Sequence, residues 1–191
     1  MVKRSPYDSK ERCITDYLLN RASADLPHSF NLLDKCPKEI RDQKTQGICG
    51  AFATATLREM HLKDANIQLS PAFLYWQARA YHNQTDEDCG VYLRDMVRVL
   101  QEFGIPEEKY MIYNSENYSV PPSKEAYNNA RMYKINHYCR MDNGVSGIKS
   151  YLYTKKKPVL FGMEVYKGFI KETGKKGIAP VPSEEEKPID G

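Results

Sequence analysis

Residues 42–53 read D-Q-K-T-Q-G-I-C-G-A-F-A, and two side chains in them could do chemistry together: the thiol of Cys49 and the amide of Gln43, six residues earlier. A thiol is a strong nucleophile as thiolate, and the positive end of a helix favours that form. The stretch Cys49 to Asp64 carries Phe52, Ala55, Glu59 and Met60 with no Gly or Pro after Gly50, which predicts a helix with a mostly small, apolar face. Cys49 then stands at its N-terminus. Acyl transfer to sulfur also needs donors aimed at the developing oxyanion, and the Cys49 backbone N–H and the Gln43 amide are candidates. The competing reading is a small buried cysteine that opens a helix, the usual fate of a lone free thiol.

The elements that must position these groups are legible in part. Ser70 can cap a second helix, with Pro71 at its first position and Phe73, Leu74, Gln77, Ala80 and Tyr81 on one face. A third is predicted from about Tyr92 to Phe103, stopped by Gly104 and Pro106. Tyr110 to Pro122, rich in Tyr, Asn, Ser and Pro, reads as a linker. Beyond it are expected a short helix over 123–129, a strand-like run over 132–141, a helix over 145–153 and an apolar strand from Pro158 to Val165. The tail from Gly174 to Gly191 reads as lacking an element of its own. No internal repeat is present.

The segment around Cys49 resembles the active-site segment of papain-like cysteine peptidases of the C1 type, closest to their disulfide-poor bacterial and viral members. In that family an oxyanion-hole glutamine precedes the nucleophile by six residues, and Ala and Phe follow it. Gln43, Cys49, Ala51 and Phe52 match. Leu26-Pro27 with Phe30-Asn31-Leu32 resembles the family's mature start, and Leu69-Ser70-Pro71 with Leu74-Tyr75 resembles its second helix. G-V-Y-L-R-D at Gly90 resembles the helix lying under the substrate, and P-V-L-F-G-M-E-V at Pro158 the strand leading toward the catalytic histidine. The resemblance implies a catalytic pair of Cys49 and Gln43, substrate contacts at Gly47, Gly90 and Val91, and hydrolysis through a thioester on Cys49. It implies a peptide or protein substrate, held at Gly90 by main-chain hydrogen bonds. The departures are Gln46, where many secreted members have a disulfide cysteine, Ile48 for a small residue, Gly50 for the usual aromatic, and Val91 for a second glycine.

A cysteine peptidase also needs a base and a group that orients it. The family spacing places the His and Asn about 130–150 residues after the nucleophile, at about 179–199 here. The histidines are His28, His61, His82 and His137, none in that window. His61 lies about 18 Å along the helix axis from Cys49, and His137 falls in a Tyr-rich strand-like run. The expectation is therefore a chain that breaks off before the His and Asn, is inactive by itself, and takes as partner a C-terminal segment completing the β lobe. The alternative is a non-catalytic papain-fold protein that binds or regulates through the peptide cleft.

Fold class follows as α+β, a papain-like two-lobe arrangement: an N-terminal arm over 1–25, a helical lobe over 26–113, and an incomplete antiparallel β lobe over 114–191 ending in a Pro/Glu-rich loop. Length and a hydrophobic share of 41% permit a buried core. A net charge of +3, with lysines clustered only locally at 155–157 and 171–176, argues against nucleic acid as a partner. No apolar run reaches membrane-spanning length, and the basic start lacks an apolar stretch after it, so neither a membrane partner nor a secretory signal is expected. Five cysteines at irregular spacing form no C-x-x-C pair and no zinc pattern, so no metal and no cofactor are expected, and a reducing compartment such as the cytoplasm is.

Overall fold

The serine-proline start at residue 70 folds as its residue types require. Ser70 Oγ accepts the Phe73 N–H at 3.2 Å, Pro71 occupies the first helical position, and the helix runs Pro71–Ala80. The computed structural model describes residues 2–3, 26–62, 66–141 and 144–189. The expected arm over 1–25, apart from Val2 and Lys3, lies outside the described residues, as do residues 63–64 of the first expected helix. Among the described residues the chain forms strand β1 (Val2–Lys3), helices α1 (Cys49–Glu59) and α2 (Pro71–Ala80), strand β2 (Val91–Tyr92), and helices α3 (Leu93–Glu102), α4 (Lys124–Ala130), α5 (Gly144–Lys155) and α6 (Lys167–Lys176).

Helices α1, α2 and α3 pack on one another around a single core. The small face of α1 (Gly50, Ala51, Thr54 and Ala55) is buried, which lets its neighbours approach closely. Phe73, Leu74 and Tyr75 of α2 and Met96, Val99 and Leu100 of α3 fill the space beside it. Ser123 caps α4 through the Ala126 N–H at 3.1 Å, and Ala126 and Ala130 close the core. Gly104 makes the turn out of α3 at φ +89°, where a Cβ would lie 1.9 Å from the Ala130 carbonyl oxygen, so only glycine fits.

Among the described residues, the buried apolar ones that form the core all lie from Ile48 to Ala130. Beyond residue 131 the described apolar side chains are half-buried, as Tyr133 and Ile135 are against the core, or exposed, as Met132, Val145, Phe161, Ile170 and Val181 are. The β content of the described residues is small. β1 and β2 pair in parallel, Val2 opposite Val91 and Lys3 opposite Tyr92, and an antiparallel bridge joins Leu69 to Glu107.

Four local expectations need correction. α1 stops at Glu59: the Met60 amide still bonds Thr56 four residues back, but those of His61 and Leu62 turn tightly onto Arg58 and Glu59, three residues back. The run 132–141 begins as a 3-10 turn, Arg131–Tyr133, and holds a single bridging residue at Arg140. Pro158 to Val165 forms no strand and bridges only at Val165, since an apolar run becomes a strand only beside a partner edge. The tail is not without an element: α6 extends to Lys176 and ends on Gly177 in the left-handed conformation, φ 67°. Tyr110 to Pro122 has no helix or strand beyond the end of a 3-10 turn at Tyr110, yet it is fastened to the helices, as described next.

Candidate active site

Cys49 is the first residue of α1 and is half-buried. Ile48 before it is fully buried and offers no side-chain cap, so the first N–H groups of α1 have no cap from that side chain. The loop ahead of the helix is held residue by residue. Gln43 Nε2 donates to the Gln46 carbonyl at 3.1 Å. The Gln43 carbonyl accepts the Tyr113 hydroxyl at 2.6 Å. The Gly47 N–H donates to both Asp88 carboxylate oxygens, at 3.1 and 3.3 Å. Gln46 is buried, and its Nε2 has no partner.

A second network fixes the start of this loop. Arg41 donates through Nη2 to Glu59 Oε1 at 2.9 Å and through Nη1 to the Leu69 carbonyl at 2.8 Å, and Nη1 also lies 3.8 Å from Glu108 Oε2. Glu59 also accepts the Leu69 N–H at 2.7 Å, and Glu108 Oε1 accepts the Tyr113 N–H at 2.7 Å. Burial pushes both carboxyls above their ordinary values, more strongly than Arg41 and the backbone donors pull them down.

The segment before Gly90 and Val91 is organised by Arg79, which is 1% exposed. Its guanidinium donates to the carbonyls of Gln84, Thr85 and Glu87, and to that of Tyr118. It stacks on the Tyr75 ring at 4.1 Å. The Tyr75 hydroxyl donates to Asp88 Oδ1 at 2.5 Å and to the Cys89 carbonyl at 2.8 Å. Val91, 3% exposed, is paired through its backbone with Val2.

The structure thus puts Gln43 and Gly47 on the short loop that leads into Cys49 and joins that loop through Asp88 to the segment leading into Gly90 and Val91. It brings no histidine to them. His28 and His137 are exposed. His61 bonds the Leu57 carbonyl at 2.7 Å, and burial lowers its pKa. His82 Nε2 pairs with Asp95 Oδ2 at 2.8 Å. A cavity of about 790 Å³ opens by the last turn of α1, lined by Leu57, Arg58, His61 and His137 among others, with Cys49 outside its lining. Sequence reading missed Asp88, Tyr75, Arg79 and Tyr113. The one signal available was Arg79 within a mostly apolar helix, because a buried guanidinium demands acceptors from some loop.

Comparison with known proteins gives a consistent picture. No family model matches the chain. An uncharacterized peptidase C1-like protein of Acanthamoeba polyphaga mimivirus is 29% identical over 163 residues, 78% of this chain and 52% of that protein. The chain therefore spans about half the length of the curated relative it matches. Xylellain, a cysteine protease from Xylella fastidiosa, superposes with a TM-score of 0.83 at 23% identity, covering 98% of this chain and 74% of that one. Procathepsin B S9 from Trypanosoma congolense gives a TM-score of 0.57 at 21% identity over 80% of this chain and 56% of that one. The chain has the α+β papain-like fold of these cysteine proteases and resembles the peptidase C1-like proteins.

Proposed function

We propose that Cys49 is the nucleophile of a papain-like cysteine peptidase site. The observation that carries this reading is the placement of Cys49 at the first residue of α1, directly after a loop whose Gln43 and Gly47 are both hydrogen-bonded into place. The Cys49 thiolate attacks a peptide carbonyl and forms a C–S bond, the C–N bond breaks and the amine leaves with a proton taken from solvent, and water then hydrolyses the thioester to the carboxylic acid and the free thiol. The Cys49 N–H and the Gln43 amide stabilise the oxyanion, for which Gln43 exchanges its bond to the Gln46 carbonyl. A peptide or protein substrate lies along Gly47, Gly90 and Val91, between a helical lobe over 26–113 and a second lobe over 114–191. The base is none of the four histidines of these residues: His61 and His82 are engaged with Leu57 and Asp95, and His28 and His137 stand exposed.

A second reading, a papain-fold protein that binds peptides without cleaving them, is favoured by the β1–β2 pairing, in which the Val91 edge already holds a strand. An activated ester separates the two. With the p-nitrophenyl ester of an N-acyl amino acid, Cys49 displaces p-nitrophenolate and becomes a hydroxylamine-labile thioester. That adduct on Cys49, absent in Cys49→Ala, supports the peptidase reading. No adduct on Cys49, or acylation of the exposed Cys36 and Cys139 alone, contradicts it.

A further inference from the structure

Asp88 and Gly47 are 41 residues apart in sequence, yet both carboxylate oxygens lie on one backbone N–H. On one side of the contact is the loop of Gln43 and Cys49. On the other, Cys89 and Gly90 lead into β2. No covalent bond joins the two: Cys49 and Cys89 are free thiols.

The carboxylate is itself held. The Tyr75 hydroxyl fixes Oδ1 at 2.5 Å and the next residue's carbonyl at 2.8 Å. Tyr75 is 1% exposed, so its ring cannot move aside without opening the core. Arg79 grips the carbonyls of Gln84, Thr85 and Glu87, immediately before Asp88. Burial pulls the Arg79 guanidinium below its ordinary value, and Asp88 is among the neighbouring groups whose charge opposes that shift. Asp88 is exposed to solvent although both anchors beneath it are buried.

We infer that Asp88 is a positioning residue of the candidate site: its carboxylate clamps the nucleophile loop at Gly47 to the segment carrying Gly90 and Val91, setting the distance between the attacking sulfur and a peptide held on that edge. A clamp of this kind acts on reagents that use both sides of the cleft and leaves the thiol's own reactivity unchanged. Asn at 88 keeps the shape but offers one acceptor oxygen in place of two and removes the charge assistance.

The inference rests on the reading of Cys49 as a peptide-directed nucleophile, and its test separates the two. Cys49 alkylation is followed in the full chain with chloroacetamide and with a short peptide ending in a chloroacetamide group, and Gly47 amide exchange is followed by NMR. The expected result for Asp88→Asn is a Gly47 amide that exchanges at least tenfold faster, a peptidyl rate about fivefold lower, and a chloroacetamide rate within twofold of the parent. Tyr75→Phe shows the same split more weakly. Unchanged Gly47 exchange overturns the clamp. Faster exchange with an unchanged rate ratio, or an equal fall in both rates, overturns its positioning role. If the parent chain shows no preference for the peptidyl reagent, the peptidase reading falls and the positioning role with it, while Gly47 exchange still reports the contact.

Discussion

Tyr113 ties the loop before Cys49 to the helix that carries it: its hydroxyl donates to the Gln43 carbonyl at 2.6 Å, and its ring meets Phe52 edge-on with centroids 5.0 Å apart. Phe52 in turn has the Arg41 guanidinium 5.4 Å from its ring centre. The two halves of this contact have different worth. Tyr113→Phe loses one hydrogen bond, about 1 kcal/mol, and Tyr113→Ala loses the ring as well, about 3 kcal/mol. Urea denaturation of the two variants checks the difference. Equal losses would show that the ring packing contributes nothing.

The Glu59–Arg41–Glu108 group makes stability depend on pH in a definite direction. Both carboxyls are raised by burial above their ordinary value of 4.5. The folded state therefore holds protons that the unfolded chain has released, so these groups lower stability as pH rises from about 4.5 through their folded values. Their contribution is most favourable below the unfolded value. Glu108→Gln keeps an acceptor for the Tyr113 N–H and removes the charge. This variant should gain stability over the parent at neutral pH, and the gain should shrink toward pH 4. Melting curves of both proteins across pH 4–8 check this. A gain that grows on acidification would contradict the assignment.

How much of this could be read in the sequence depended on whether the signal was local. Ser70-Pro71 marked a helix start because a cap is a contact of three residues, and Ser70 does cap. The papain-like fold was legible because the Gln43–Cys49 spacing, Ser70-Pro71 and Gly90 stand in family order. Strands were not, since an apolar run such as Pro158 to Val165 needs a partner edge that its own residues do not encode. Helix α6 was missed because Gly168 and Gly174 lower its propensity and Ile170, 61% exposed, gives it no buried apolar stripe. The stretch from Tyr110 to Pro122 looked like a free linker. Its composition hides that Ser70 donates to the Met111 carbonyl, Arg79 to that of Tyr118 and Trp76 to that of Ser119.

The parallel pairing of Val2 with Val91 occupies the edge assigned to the substrate. Two residues of parallel ladder are a weak hold, about 1 kcal/mol. Val2→Pro with Lys3→Pro, which removes both strand N–H groups, should raise the rate of Cys49 alkylation by a peptidyl chloroacetamide severalfold and leave the chloroacetamide rate unchanged. Stopped-time mass spectrometry of the modified chain checks it. A slower peptidyl rate would mean that β1 supports the edge instead of competing for it.

The central claim is that a peptide carries its electrophile to Cys49 in preference to thiols that are easier to reach. Exposure alone favours Cys36 and Cys139, which are exposed, over Cys49, which is half-buried. The most direct measurement is site-resolved mass spectrometry of the full chain treated with less than one equivalent of the peptidyl chloroacetamide. The predicted result is modification at Cys49 at least tenfold ahead of Cys36, Cys89 and Cys139, with the preference lost for chloroacetamide itself. Labelling that follows exposure for both reagents, with Cys36 and Cys139 ahead of Cys49, would contradict it.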